Sequence, residues 1–578
     1  MRHRVRALTV SALALSLAVA GCAKNTGGSS GNSGGAQKQQ AIIIDTKGTS
    51  PTPAPDVPGA KPGGTLEYLQ DGAPEHLDPQ QMYVTDQQTI GTLIFRSLTF
   101  YIEDAKGGPL KLVGDLATNT GESSNGDKTW TYHLRDGIKF SDGSPILAKD
   151  IAYGVARSFG KYGEQGPQYV QNALQAARKY KPADGDMPPG VTTPDDKTIV
   201  FNLETAHPEF PYLAALSTTI PVPKAQDTGD KYEADFRESG PYMKDGPYDQ
   251  QTKLKLKKNP NWDPKTDAIR HQYADAWLMD FSPDRNAQTQ RLIADQGADS
   301  YAVMQADVAQ ASIAQVQGDP ALSKRTIAGP SPFVDYVNIN TSRVTDVKVR
   351  KALNYSFDRA ALIKAMGGAA IAAPATTIMA PVVPGYKNFD AYPTPGGSGD
   401  VAKAKELLGG QTPKLTYCFP NTSTHQQYAV VIKQALERAG FQIAFNPIDR
   451  SAYYTTIGDK TTTCDLMRSG WGQDYPDGDS TLNVLMNGEL IVPKGNQNYS
   501  YLNDPATNKK LDELKTEPDR AKAATEYGDL DQKIMTELAP LIPWDYVRVY
   551  ALTGSKVGGT FVSPLFALPN LVDAYAKS

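Results

Sequence analysis

The chain has 578 residues, too many for one ordinary hydrophobic core, so two or three domains are expected. Lysine plus arginine number 59 against 63 aspartate plus glutamate, a net charge of -4, without the basic surplus of a nucleic-acid binder. A hydrophobic share of 40% with 29 tyrosines supplies globular cores and leaves aromatic rings for binding surfaces.

The first segment reads as targeting rather than fold. "MRHRVR" is basic, and the apolar run Ala7 to Ala20 is too short to span a bilayer but suits a signal peptide. The run ends in "VAGC", which resembles a bacterial lipobox and predicts removal of residues 1–21 and lipidation of Cys22. Two or more acyl chains would hold the protein stably on a membrane. Residues 22–61 are Gly/Ser-rich and then Pro-rich, a flexible to extended tether. "GGSSG" at residues 27–31 matches the spelling of a hydrolase elbow but lacks the strand–turn–helix setting.

The body begins at "GGTLEYL", residues 63–69, followed by "HLDPQ" at 76–80. In residues 129–159, Trp130, Tyr132 and Leu134 alternate as in a half-buried strand, and "RDG" and "SDG" signal turns. Ile151, Val155 and Phe159 then recur every four residues, the apolar stripe of a helix. Residues 414–470 alternate strand and helix: "KLTYCF", a helix from about Tyr428 to a stop at Gly440, "FQIAF", a short helix, then "CDLMRSGW". Such a β-α-β-α-β run implies a parallel sheet with right-handed crossovers. It places "SGWGQDYPDGD", residues 469–479, past the C-terminal end of a parallel strand, where open α/β sheets bind ligands.

Five stretches then carry a resemblance: "GGTL" with "HLDP"; "YHLRDGIKFSDGSP…AKDIAYG"; "SGPYMK" with "LKKNPNWDP"; "NINTS…DVKVRKALNYSFDRAALI"; and "DLMRSGWGQDYPDGDSTL". Together they resemble the extracytoplasmic solute-binding proteins of the oligopeptide, dipeptide and nickel class, bacterial family 5, which feed ABC importers. The resemblance implies an α/β fold of two lobes joined by a hinge, with an extra domain inserted in lobe I. On that pattern residues 62–95, 201–330 and 546–578 form lobe I, 96–200 the inserted domain, and 331–545 lobe II. Two departures stand out: Leu147 occupies a helix-start position where the family tends to place threonine, and Gly478 stands where it often has proline.

In peptide-binding members an aspartate three residues after this tryptophan meets the peptide α-ammonium; the matching residue is Asp474. Trp471 offers an apolar wall, and the backbone of Gly470 to Gly472 can pair with an extended peptide as an added strand. Arg468 matches an arginine that in some members meets the peptide carboxylate. Tyr475 belongs to the same stretch; Tyr83, Trp544, Tyr546 and Asn421 are further candidates for the cleft wall, with packing of the hinge as the other reading for Trp544 and Tyr546. Asp477 and Asp479 read as turn and capping residues, because the spacing fails the calcium-loop pattern.

The six histidines, His3, His76, His133, His207, His271 and His425, are scattered, and neither H-E-x-x-H nor Cys-x-x-Cys is present, so no metal, cofactor or catalytic residue is expected. Cys418 and Cys464 pose a separate question. An exported pair tends to oxidise, and both fall on strands expected to be neighbours. Cys418 lies late on its strand and Cys464 early on its own, which would hold the Cα atoms beyond the limit of about 7 Å, so the bond stays open. The expected protein is a monomeric, lipid-anchored receptor outside the cytoplasm. It would take oligopeptides by hinge closure, deliver them to ABC permease subunits and make no use of nucleic acid. A metal chelate, a sugar or a signalling peptide as cargo, or a sensory role, remain the alternatives.

Overall fold

The computed structural model describes residues 42–577 except 45–47, 164, 175–176, 178–179 and 182–186. The signal segment, Cys22 and most of the expected tether lie outside the described residues. Period-two patterning builds the first lobe. "KLKLKK", Lys253–Lys258, buries Leu254 and Leu256 and turns lysines to solvent. It sits in a five-stranded mixed sheet ordered Ala302–Met304, Thr65–Leu69, Ala276–Asp280, Lys253–Lys258, Tyr242–Lys244. Leu66, Tyr68, Trp277 and Met279 fill its core. The aspartate of "HLDP", Asp78, is structural: both its oxygens accept from Arg157, at 2.5 and 2.6 Å, in a buried bidentate pair.

A separate four-stranded antiparallel sheet is ordered Glu122–Ser124, Thr129–His133, Thr198–Asn202, Val191–Asp195. Trp130 and Tyr132 face its core, as their alternation predicts. The helix Ala148–Arg157 packs Ile151 and Val155 into that core. It ends before Phe159, which lies half-buried beyond the last turn. Leu147 gives no side-chain cap, but the Asp150 carboxylate accepts from the Leu147 N–H at 2.9 Å, so one of the exposed donors at the helix start is satisfied.

The second lobe holds a six-stranded sheet ordered Ala372–Pro374, Leu541–Leu552, Thr326–Ile339, Leu466–Trp471, Lys414–Pro420, Gln442–Ile448. Its last three strands are parallel and belong to the expected β-α-β-α-β run, with the helix Ser423–Arg438 as the first crossover. Cys418 and Cys464 form a disulfide with Cα atoms 5.8 Å apart. Cys464 precedes the strand that starts at Leu466, so it is not held to the ladder register in which Cys418 pairs with Met467. That freedom removes the register objection.

Two long antiparallel strands, Thr326–Ile339 and Leu541–Leu552, run between the lobes. Their pairing shifts register between Pro330 and Val334, and Val549 to Leu552 pack with Leu69 and Met304 of the first lobe. The last part of the expected tether is bound to the body. Ile42–Ile44 pair in parallel with Leu110–Leu112; the Ser50 N–H donates to Thr118 O at 2.7 Å, and the Ala54 N–H donates to Asp267 O at 2.9 Å. Proline content predicts stiffness of a segment, not whether the few donors it keeps find acceptors on a neighbouring surface.

Candidate ligand-binding site

Between the lobes lies a cavity of about 930 Å³, within the range of small-molecule sites. The strand Leu466–Trp471 delivers its second-lobe wall. Its pairing with Thr326–Ile339 continues to Trp471, whereas its pairing with Lys414–Pro420 stops at Met467. Beyond that point the ladder on this edge stops: the Tyr453 hydroxyl donates to Arg468 O at 2.5 Å, and Gly470 to Gly472 border the cavity, where a ligand backbone could add as a strand. Gly470 leaves room for its neighbour: a Cβ would stand 2.1 Å from Asp335 Oδ1, so a larger residue would have to displace that carboxylate.

Asp474 follows in the turn and meets the opposite lobe. The Tyr83 hydroxyl donates to Asp474 Oδ2 at 2.9 Å, and the Tyr169 hydroxyl donates to the same oxygen. Burial pushes the Asp474 carboxyl up to about 6, although these two hydrogen bonds favour its charged form. No lysine or arginine is among the described residues that line the cavity; its charged groups are Glu75 and Asp474, beside His76. A half-buried carboxylate therefore faces ligand space with no cationic side chain beside it among the described lining residues.

Tyr475 lines the cavity edge but serves mainly as a plug. It is buried in a core built mainly from residues 98–216, with its ring 5.2 Å from Tyr169 and 6.2 Å from Tyr212. Its hydroxyl donates to Asp479 Oδ2 at 2.7 Å. Asp477 accepts from the Asp479 N–H at 3.0 Å, a capping contact, and forms a buried ion pair with Arg520. Burial and the nearby Glu209 carboxylate push Asp479 up to about 6. Gly478 has helical φ and ψ, -60° and -24°, so its backbone would accept proline, but a Cβ would stand 2.5 Å from the Tyr527 ring. The family departure at Gly478 thus has a packing cause.

Of the sequence candidates, Tyr83, Gly470, Trp471, Gly472, Asp474 and Tyr475 line the cavity. Trp471 is half-buried and donates its indole N–H to Ser480 O at 2.9 Å. Arg468, Trp544, Tyr546 and Asn421 are not lining residues. Arg468 is held by Asp335 at 2.7 Å. Trp544 is buried against Phe357 and Tyr428, and the Tyr546 hydroxyl is tied to Thr377 Oγ1 at 2.7 Å. Both lie further into the second lobe than the crossing expected at 545–546, because Leu541–Leu552 stays paired in that sheet well past Trp544. Asn421 bonds Gln426 and the backbone of Ile448. The sequence reading missed Tyr169, Tyr212, Glu209 and Arg520, which no short motif marks. Among the described residues no group of three or more His, Cys, Asp or Glu could hold a metal ion.

The model of the bacterial extracellular solute-binding proteins, family 5, matches residues 111–489. The chain is 25% identical over 549 residues to the probable deoxycholate-binding periplasmic protein YgiS of Escherichia coli, covering 89% of this chain and 95% of that one. It is 24% identical over 427 residues to the oligopeptide-binding protein OppA of Bacillus subtilis, covering 70% and 74%. A solved structure, the clavulanic acid biosynthesis oligopeptide binding protein 2, superimposes with a TM-score of 0.84 at 28% identity, covering 92% of this chain and 99% of the other. Two lobes around a central cavity, with the family match across more than half the chain, make this protein a member of the bacterial extracellular solute-binding proteins, family 5.

Proposed function

We propose that this protein is the lipid-anchored receptor of an ABC importer, that it captures oligopeptides between its lobes, and that it hands them to the permease. Cys22, outside the described residues, would carry the anchor. The observation that carries the reading is Asp474: a carboxylate on the cavity wall, backed by two tyrosine hydroxyls and with no lysine or arginine among the described residues that line the same cavity. A peptide α-ammonium is the complementary group, and the strand end at Gly470 to Gly472, on the cavity wall, can take a peptide backbone whatever its side chains.

The bile-acid specificity in the name of the Escherichia coli relative fits this cavity less well. Deoxycholate is an anion, and the described lining residues include Glu75 and Asp474 and no lysine or arginine. Tyr83 lies outside the second-lobe sheet and reaches Asp474 directly, so lobe closure assembles the two walls of the site beside this carboxylate. Closure is then a population shift towards the state in which both walls touch the ligand. Mass spectrometry of small molecules released from the purified protein tests the reading. Peptides are expected; a bile acid, sugar or metal chelate in their place would refute it.

A further inference from the structure

The C-terminal stretch "SPLFALPN", residues 563–570, closes on itself: the Ser563 N–H donates to Leu568 O at 2.8 Å, and the Ala567 N–H donates to Ser563 O at 2.9 Å. One side chain holds both ends of this loop. Glu103 Oε1 accepts from the Ser563 hydroxyl at 2.6 Å, and Glu103 Oε2 accepts from the Asn570 side-chain amide at 2.8 Å. Near the tip, Ala567 has a φ of 55°, left-handed backbone that a residue with a Cβ keeps only where its surroundings enforce it. The side chain fixed by this arrangement is that of its neighbour, Phe566.

Phe566 meets Phe100, with ring centroids 6.5 Å apart and planes tilted by 33°. Phe100 comes from the strand Thr99–Ile102, whose alternation buries Thr99 and Tyr101 and leaves Phe100 and Ile102 half-buried on the other face. Both rings line the cavity between the lobes, together with Ala215, Leu216 and Leu565. Both also line a second cavity of about 450 Å³, whose wall includes Pro55 and Val57 from the bound end of the tether. With Tyr101 they are the described residues common to the two cavities. A void of about 30 Å³ touches the same two rings. The rings thus form a partition, one side chain thick, between the ligand cavity and the space behind it.

We propose that Phe100 and Phe566 are the end wall of the ligand cavity: they receive the apolar end of the bound ligand and set its length. This rests on the peptide reading above and adds to it a limit on length and an apolar residue at the end that Asp474 does not hold. The apolar preference follows from the wall itself, because the side chains of Phe100, Ala215, Leu216, Leu565 and Phe566 offer no hydrogen-bond donor or acceptor. A polar end group brought against them loses water without gaining a partner. A ligand one residue too long has to displace Phe566, and the two bonds from the loop to Glu103 resist that. With the Phe566 ring removed, the ligand cavity runs on into the second one.

The test is calorimetry with free peptides of two to seven residues, alanine throughout except for a last residue that is leucine or its near-isostere asparagine. A series of n-alkylammonium ions from butyl to dodecyl completes the set. In the unaltered protein, affinity is expected to fall by at least about tenfold on adding one residue beyond a fixed length. At that length the leucine peptide is expected to outbind its asparagine twin. In Phe566→Ala the fall is expected at a longer peptide. Phe566→Leu, which keeps an apolar loop tip, is expected to move it part of the way, and circular dichroism reports whether each variant is folded. Absence of a length limit in the unaltered protein overturns the end wall and needs no variant, and so do equal affinities of the leucine and asparagine twins. A limit that stays at the same length in Phe566→Ala, Phe566→Leu and Phe100→Ala also overturns it. If no peptide binds but the alkylammonium ions show a length limit that Phe566→Leu moves, the end wall stands and the peptide reading falls. If neither series binds, the end wall falls as well.

Discussion

Removing the charge at Asp474 is the most direct perturbation of the proposed site. A carboxylate and an ammonium about 4 Å apart attract by about 4 kcal/mol at an effective dielectric of 20. Against this stands desolvation, but much of it is already present without ligand, because burial has raised the Asp474 carboxyl to about 6. From an ordinary aspartate value that rise corresponds to at most about 3 kcal/mol. Truncating a buried charge pair costs about 2–5 kcal/mol, which converts to a loss of about thirtyfold to a few thousandfold in Kd. Isothermal calorimetry at pH 7.5 with a tripeptide and its N-acetyl derivative reads the effect twice, through Asp474→Asn and through the ligand. Both changes are expected to weaken binding into that range and to add little when combined. The pH dependence has a fixed sign. Pairing needs the ionised carboxylate, so affinity for the free peptide falls as pH drops through about 6, while the acetylated peptide lacks this dependence. Equal affinity of free and acetylated peptides for the unaltered protein would refute the assignment.

Tyr169→Phe removes a donor to a carboxylate across the cleft, a contact class worth about 1.5–3 kcal/mol, so the ligand-free protein is expected to open and its radius of gyration by small-angle scattering to rise. An unchanged scattering profile would remove the latch role. Reduction of Cys418–Cys464, which closes a sequence separation of 46, is expected to lower unfolding free energy by up to about 4 kcal/mol in the chain-entropy view, measured by denaturant titration with and without reductant. Arg520→Met leaves Asp477 buried without its partner and is expected to cost about 3–5 kcal/mol in the same titration. Burial raises Asp479 to about 6 and Asp531 to about 7. The native state therefore holds these protons above the pH at which the unfolded chain releases them. Their stabilising contribution is complete below about pH 4 and is lost as pH rises through 6 to 7. Denaturation midpoints of the ligand-free protein are expected to fall over that window, less steeply in Asp531→Asn, and a flat profile would contradict the raised values.

Local pattern was enough for the parts of this protein that local physics controls. Alternation at Trp130 and Tyr132, the fourfold spacing of Ile151 and Val155, and the run from Lys414 to Trp471 state which face of each element is apolar. From these the parallel strands and the position of Asp474 at a strand's end could be read directly. The site's partners could not. Tyr83 and Tyr169 meet Asp474 across 391 and 305 residues of chain, and no periodicity encodes such a meeting. The same limit explains Arg468, whose charge looks free for a ligand until Asp335, on the neighbouring strand, is seen to hold it. Trp544 reads as a cleft aromatic until the sheet buries it against Phe357 and Tyr428. Period and turn chemistry act over a few residues and are written in order along the chain. Which charge faces which is settled by how sheets and lobes pack, and burial then sets the cost of leaving each group unpaired.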